Sequence, residues 1–182
     1  GGPRPTVPLR VTAVPDPHPL HWLDAHAAAR RAAGLRRGLR PREAGEPLLD
    51  LAGNDYLGLS TDPRVVEGAV AATRAWGAGS TGSRLVTGTT ALHSALEAEL
   101  AAFLGAPAAL VFSSGYLANL GVVTALSGPG ALVVSDAANH ASLVDACRLA
   151  RSRVAVTPRD DPAAVDALLA ARTEERALVV TD

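Results

Sequence analysis

Two short stretches place residue types that could do chemistry where an apolar run gives way to a helical pattern. The first is Val111-Phe112-Ser113-Ser114-Gly115-Tyr116-Leu117-Ala118-Asn119, with two hydroxyls, a glycine and an aromatic ring at the turn. Exposed N–H groups and the helix dipole make such a turn a cup for a phosphate; a plain serine N-cap with a glycine easing the turn has the same spelling. The second is Val133-Val134-Ser135-Asp136-Ala137-Ala138-Asn139-His140-Ala141-Ser142-Leu143. An imidazole at the end of a strand can serve as an acid or base, a ligand or a flat stacking surface, or can simply start a helix and bond a neighbour. Local spacing leaves these roles open. The remaining histidines offer less: His18, His21 and His26 fall in the amino-terminal arm and first helix, and His93 falls on the solvent side of a helical pattern.

Other chemistries are excluded or weakened. All 17 basic residues are arginine, so no Gly-rich phosphate loop ending in Lys-Ser or Lys-Thr can form. Gly77-Ala78-Gly79-Ser80-Thr81-Gly82 spells G-x-G-x-x-G but follows a helical pattern, whereas the dinucleotide fingerprint must follow a strand. Neither H-E-x-x-H nor G-x-S-x-G occurs. A single cysteine, Cys147, allows neither an internal disulfide nor a cysteine-cluster metal site. Six arginines between Arg30 and Arg42 read as a solvated helical face or an anion site.

The elements that must position these groups follow from punctuation and period. Six of the thirteen prolines lie in the first nineteen residues, which predicts an extended arm. Ala, Leu and Arg then predict a helix from about Trp22 to Leu39, closed by Pro41, with a short strand at Leu48–Leu51. Asp62-Pro63 is a helix start, with Val66, Ala69, Val70 and Trp76 on one face. Leu92, Leu96, Leu100, Phe103 and Leu104 predict an amphipathic helix ending at Gly105. Apolar runs at Ala108–Phe112, Ala131–Val134, Arg153–Thr157 and Ala177–Thr181 then alternate with helices at Tyr116–Leu126, Ala141–Ala150 and Pro162–Ala171. Near-continuous apolar strands separated by helices predict an α/β fold, a mainly parallel sheet with helices on both faces.

Composition agrees with that class. The 182 residues are 48% hydrophobic and 19% charged, with a net charge of -1, against the basic excess of most nucleic-acid binders. No apolar run reaches the roughly 18 residues of a spanning helix, and no signal peptide opens the sequence, so a cytoplasmic location is expected.

Taken in order, Asn54-Asp55-Tyr56-Leu57-Gly58-Leu59, Gly77 to Gly88, His93 with Glu97, Ser113 to Asn119, and His140-Ala141-Ser142-Leu143 resemble the segments of the α-oxoamine synthases. These are pyridoxal 5'-phosphate enzymes of the aspartate-aminotransferase fold type, fold type I. The likeness runs from about Ala25 to Asp182 and is greatest to the member that serves biotin biosynthesis. It implies that Ser114, Gly115 and Tyr116 lie at the cofactor phosphate and that His140 stacks over the pyridine ring. It also implies that Asn54 is an active-site asparagine and that Arg36, with Arg37 one register away, binds the carboxylate end of the acyl substrate. Asn139 stands where a serine is more usual. The implied reaction is a decarboxylative condensation of L-alanine with a pimeloyl thioester, carried by coenzyme A or a carrier protein, in a homodimer.

The resemblance predicts residues 1–57 as an amino-terminal arm and helix and 58–182 as an incomplete cofactor-binding large domain. No methionine is present, and the last apolar run stops at Asp182, so the expectation is a fragment that lacks the family's Schiff-base lysine and does not turn over alone. Two alternatives stand beside this reading: another α-oxoamine synthase, such as a glycine C-acetyltransferase, and a non-catalytic anion-binding α/β domain.

Overall fold

Ala131-Leu132-Val133-Val134-Ser135 is buried from end to end, and the larger part of the molecule is arranged around it. A strand apolar on both faces must be covered on both faces, and the computed structural model shows how. It describes residues 18–46 and 49–182, in two compact units, Gly1–Tyr56 and Leu57–Asp182. In the second unit β1 (Ala131–Asp136) is the middle strand. It pairs in parallel with β2 (Arg153–Thr157) on one side and with β3 (Arg176–Val180) on the other.

The two crossovers run in opposite directions along this sheet: β1 to β2 through α5 (Ala141–Leu149), then β2 to β3 through α6 (Pro162–Ala171). Right-handed connections therefore place α5 and α6 on opposite faces. On one face Val133 packs with Val123 of α4 (Gly115–Leu126), with Ala146 and Cys147 of α5, and with Val180. On the other, Val134 and Val179 share a concavity with Val165 and Asp166 of α6. Leu132, Val133 and Val134 are almost wholly buried, each stabilising the fold by about 1.5–3 kcal/mol. Cys147 belongs to this core; burial pushes its thiol up, so it is inert packing.

The helix starts follow their capping residues. Asp62 accepts from the Arg64 N–H ahead of α2 (Pro63–Trp76), and Asp161 accepts from the Ala164 N–H ahead of α6, each with proline at the first helical position. Helix α3 (Ala91–Leu104) ends on Gly105 at φ 62°, in the left-handed region that glycine enters without strain.

Three expectations are corrected. Helix α1 spans Trp22–Ala32 and stops well short of Leu39. Gly34 turns left-handed at φ 68°; its N–H donates to the Arg31 carbonyl, and Leu35 N–H donates back to the Arg30 carbonyl. That pair of bonds closes a helix end, and it releases Arg36 and Arg37 into an exposed irregular segment. Residues 108–112 form no strand: both polar groups of the Val111 peptide are taken by side chains, as described below. The strand expected at Leu48–Leu51 is also absent where it can be followed. Leu48 lies outside the described residues, as do residues 1–17 of the expected proline arm, and Leu49, Asp50 and Leu51 are exposed and unpaired with any strand.

Candidate functional site

At the carboxyl end of β1 the chain turns through Ala137 and Ala138, and two adjacent residues then go opposite ways. Asn139 is buried. Its Nδ2 donates to Ser135 Oγ and to the Val180 carbonyl, both at 2.9 Å, tying the end of β1 to the end of β3. Its Oδ1 has no partner. His140 is exposed and serves as the N-cap of α5, with Nδ1 accepting from the Ser142 N–H at 3.1 Å and lying 2.7 Å from Ser142 Oγ. The imidazole stands at the strand end expected of it; the anchoring role of Asn139 beside it is shown only by the fold.

Asn139→Ala should destabilise the protein by about 1 kcal/mol. The two donated bonds are worth roughly 1 kcal/mol each, and removing the unpartnered Oδ1 offsets part of that loss. A thermal melt of the variant checks this; an unchanged midpoint would show that the two bonds contribute nothing.

The second junction packs directly against the first. Helix α4 opens on Ser114, whose Oγ accepts from the Leu117 N–H at 3.2 Å. The Gly115 and Tyr116 N–H groups occupy the first two helical positions, where the helix itself supplies no acceptor. A Cβ built on Gly115 would meet nothing within 4 Å, so this end of α4 opens onto free space. Tyr116 reaches across to α5, donating its hydroxyl to Asp145 Oδ2 at 2.7 Å, and that acceptor holds the phenol above its usual pKa. One turn further on, Asn119 Nδ2 donates to Ser142 Oγ at 2.9 Å. These two bonds hold α4 against α5, the helix that His140 caps. Open N–H groups with a hydroxyl beside them suit a phosphate, and an exposed imidazole at the start of the neighbouring helix suits a flat ring; these residues fit pyridoxal phosphate on both counts.

The other residues named from the sequence lie in the first unit. Arg36 is exposed beyond the end of α1. Asn54 is exposed too, with its Oδ1 accepting from the Tyr56 hydroxyl at 3.4 Å.

His93 departs from expectation. Instead of facing solvent, it is half-buried and closes the start of α3, where its Nδ1 accepts from the Thr90 N–H and contacts the Thr90 hydroxyl at 2.9 Å. With Arg84, Phe112, Ser113 and Leu117 it lines a cavity of about 780 Å³.

Sequence reasoning gave no role to Arg84 and Glu97, which form a polar cluster with Val111. Arg84 binds Glu97 through two nitrogens, at 2.5 and 3.0 Å, and also donates to the Val111 carbonyl at 3.0 Å. Glu97 in turn accepts from the Val111 N–H at 2.8 Å. The Arg84 guanidinium, then the Val111 amide, hold the Glu97 carboxyl down at about 2. Among the described residues no cluster of metal ligands occurs, and no helix is long and apolar enough to cross a membrane.

Comparison with known proteins places this arrangement. The family model for aminotransferase class I and II matches residues 46–182. An 8-amino-7-oxononanoate synthase of Mycobacterium sp. (strain KMS) is 70% identical over 164 residues, 90% of this chain and 43% of that protein. The chain thus spans well under half the length of this curated relative. Among solved structures, a serine palmitoyltransferase of Sphingomonas wittichii is 37% identical, with a TM-score of 0.65 over 68% of this chain and 31% of its own. A serine palmitoyltransferase from S. paucimobilis, solved with bound PLP and myriocin, is 35% identical, with a TM-score of 0.65 over 68% of this chain and 31% of its own.

Proposed function

Because this chain belongs to the aminotransferase class I and II family, we propose that it is the amino-terminal part of a pyridoxal-phosphate-dependent 8-amino-7-oxononanoate synthase of biotin biosynthesis. In this reading the complete protein is a cytoplasmic homodimer, and the second unit begins its cofactor-binding domain. The enzyme condenses L-alanine with a pimeloyl thioester and releases carbon dioxide. The observation that carries the reading is the open first turn of α4, on a helix bonded to the one that the exposed His140 caps, in a chain 70% identical to a curated synthase.

When bound, pyridoxal phosphate supplies the electron sink for the carbanion. The chain's own residues hold and orient. Ser114 and the Gly115 and Tyr116 amides would hold the phosphate, with the positive end of α4 behind them. His140 would stack on the cofactor ring. Arg36 takes the distal carboxylate of the acyl substrate, a role suited to a guanidinium that binds carboxylates in a bidentate fork and never loses its charge. Asn54 contributes to the substrate site. Since the sequence contains no lysine, the covalent anchor for the cofactor and the base at the substrate carbon fall to residues outside it.

Two measurements test this. The complete protein, given L-alanine and pimeloyl-CoA or a pimeloyl-carrier protein, should form 8-amino-7-oxononanoate. Equal or faster condensation with acetyl- or palmitoyl-CoA would assign it to another α-oxoamine synthase. Arg36→Ala should raise the KM for the pimeloyl thioester on the order of tenfold and leave the KM for alanine unchanged, the pattern of a lost contact to one substrate. The 182-residue chain alone, treated with pyridoxal phosphate and borohydride, should retain cofactor on no side chain. A blocked amino terminus is the control, and labelling that persists after the block would refute the lysine argument.

A further inference from the structure

The hydrogen bonds behind His140 run in one direction. Asn119 Nδ2 can only donate, and it donates to Ser142 Oγ at 2.9 Å. Oγ keeps its proton and a second lone pair, so the direction of its 2.7 Å contact with His140 Nδ1 is decided at the ring nitrogen. The Ser142 backbone N–H, which also can only donate, points at the same ring nitrogen from 3.1 Å. Two donors converge on Nδ1, so Nδ1 carries no proton and the neutral ring holds its proton on Nε2. Ser142, the link between the other two, is fully buried, which limits the access of water to its hydroxyl.

We infer that Ser142 and Asn119 are positioning residues that fix His140 as its Nε2–H tautomer and lock the plane of its ring. Asn119 lies on α4, the helix whose first turn forms the phosphate cup, so the relay also sets the ring's placement relative to that cup. The remaining edge of His140 is then a donor at Nε2 and carries no free base. The inference builds on the reading of His140 as the ring that meets the cofactor, and its test does not depend on that reading.

The test is a long-range proton–nitrogen spectrum of the complete protein labelled at histidine, recorded with and without pyridoxal phosphate. Wild type should show neutral His140 protonated on Nε2 in both states. Ser142→Ala removes one of the two converging donors and should raise the Nδ1–H share of the neutral ring above wild type, the backbone N–H still opposing it. Asn119→Asp is nearly isosteric and reverses polarity: its carboxylate accepts the Ser142 hydroxyl proton, turns an Oγ lone pair toward the ring and should raise the Nδ1–H share further. Both variants should lose kcat on the order of tenfold, in line with other outer partners that orient a working histidine. A wild-type ring protonated on Nδ1, or a proton that stays on Nε2 in both variants, overturns the inference. If the complete protein binds no pyridoxal phosphate while the tautomer shifts as described, the relay stands and the functional reading falls.

Discussion

Replacing His140 with alanine in the complete protein should lower kcat by about a hundredfold, the upper end of what ring stacking contributes at roughly 1–3 kcal/mol. The side chain is exposed at the mouth of the site, and its Nδ1 contacts are confined to Ser142, so the fold should survive. His93→Ala gives the contrast. His93 closes the first turn of α3 on Thr90, and its loss should cost about 1 kcal/mol of stability, as removal of a helix cap does, with kcat changed less than threefold or so. Steady-state kinetics and thermal melts on the two variants separate these effects. Equal loss of activity from both would show that the strand-end histidine holds no special place.

The largest structural loss is expected at Glu97. Glu97→Ala would leave the half-buried Arg84 guanidinium without its carboxylate and the Val111 amide without its acceptor. The thermal midpoint should fall on the order of 10 °C. The pH dependence has a definite sign. The folded pKa of about 2 lies below the ordinary 4.5, so the pair's contribution is complete above pH 4.5 and disappears as the pH falls toward 2. In the wild type, acid should therefore erode stability across that window, and Glu97→Gln should flatten the slope there. A variant that melts like the wild type, or with the same slope between pH 4.5 and 2, would show that the cluster contributes little.

Where each segment carried its own stop signals, the sequence sufficed. Asp62-Pro63 and the apolar spacing after it located α2, and the unbroken apolar run of β1 announced a strand covered on both faces. The misreadings have physical causes. Composition favours helix through Leu39, but a single glycine in the left-handed region ended α1 at Ala32, and Gly34 was legible as that stop. Ala108–Phe112 has a strand's composition, yet strand formation requires a neighbour for its peptides, and Arg84 and Glu97 took that place at Val111. No local pattern reveals a pairing between side chains so far apart in sequence. The same holds for the Asn119–Ser142–His140 relay. Its members lie in two of the motifs that drew attention, but only the packing of α4 on α5 makes them a chain of donors.

The strand order also sets a sequence of events in folding. β1 reaches β2 by closing over α5 alone, whereas β3 must span α5, β2 and α6 before it finds the other side of β1. Roughly doubling the loop adds only about 0.6 kcal/mol of closure entropy, so β3 is not much disfavoured; it is simply later. The β1–α5–β2 unit should therefore nucleate first, with β3 docking onto a preformed edge. Asn139 receives the Val180 carbonyl only at that last step. Until β3 arrives, the turn that carries His140 has one of its two buried ties, so the amides of β3 should exchange with solvent sooner than those of β1, and the geometry around the imidazole should mature with the final strand.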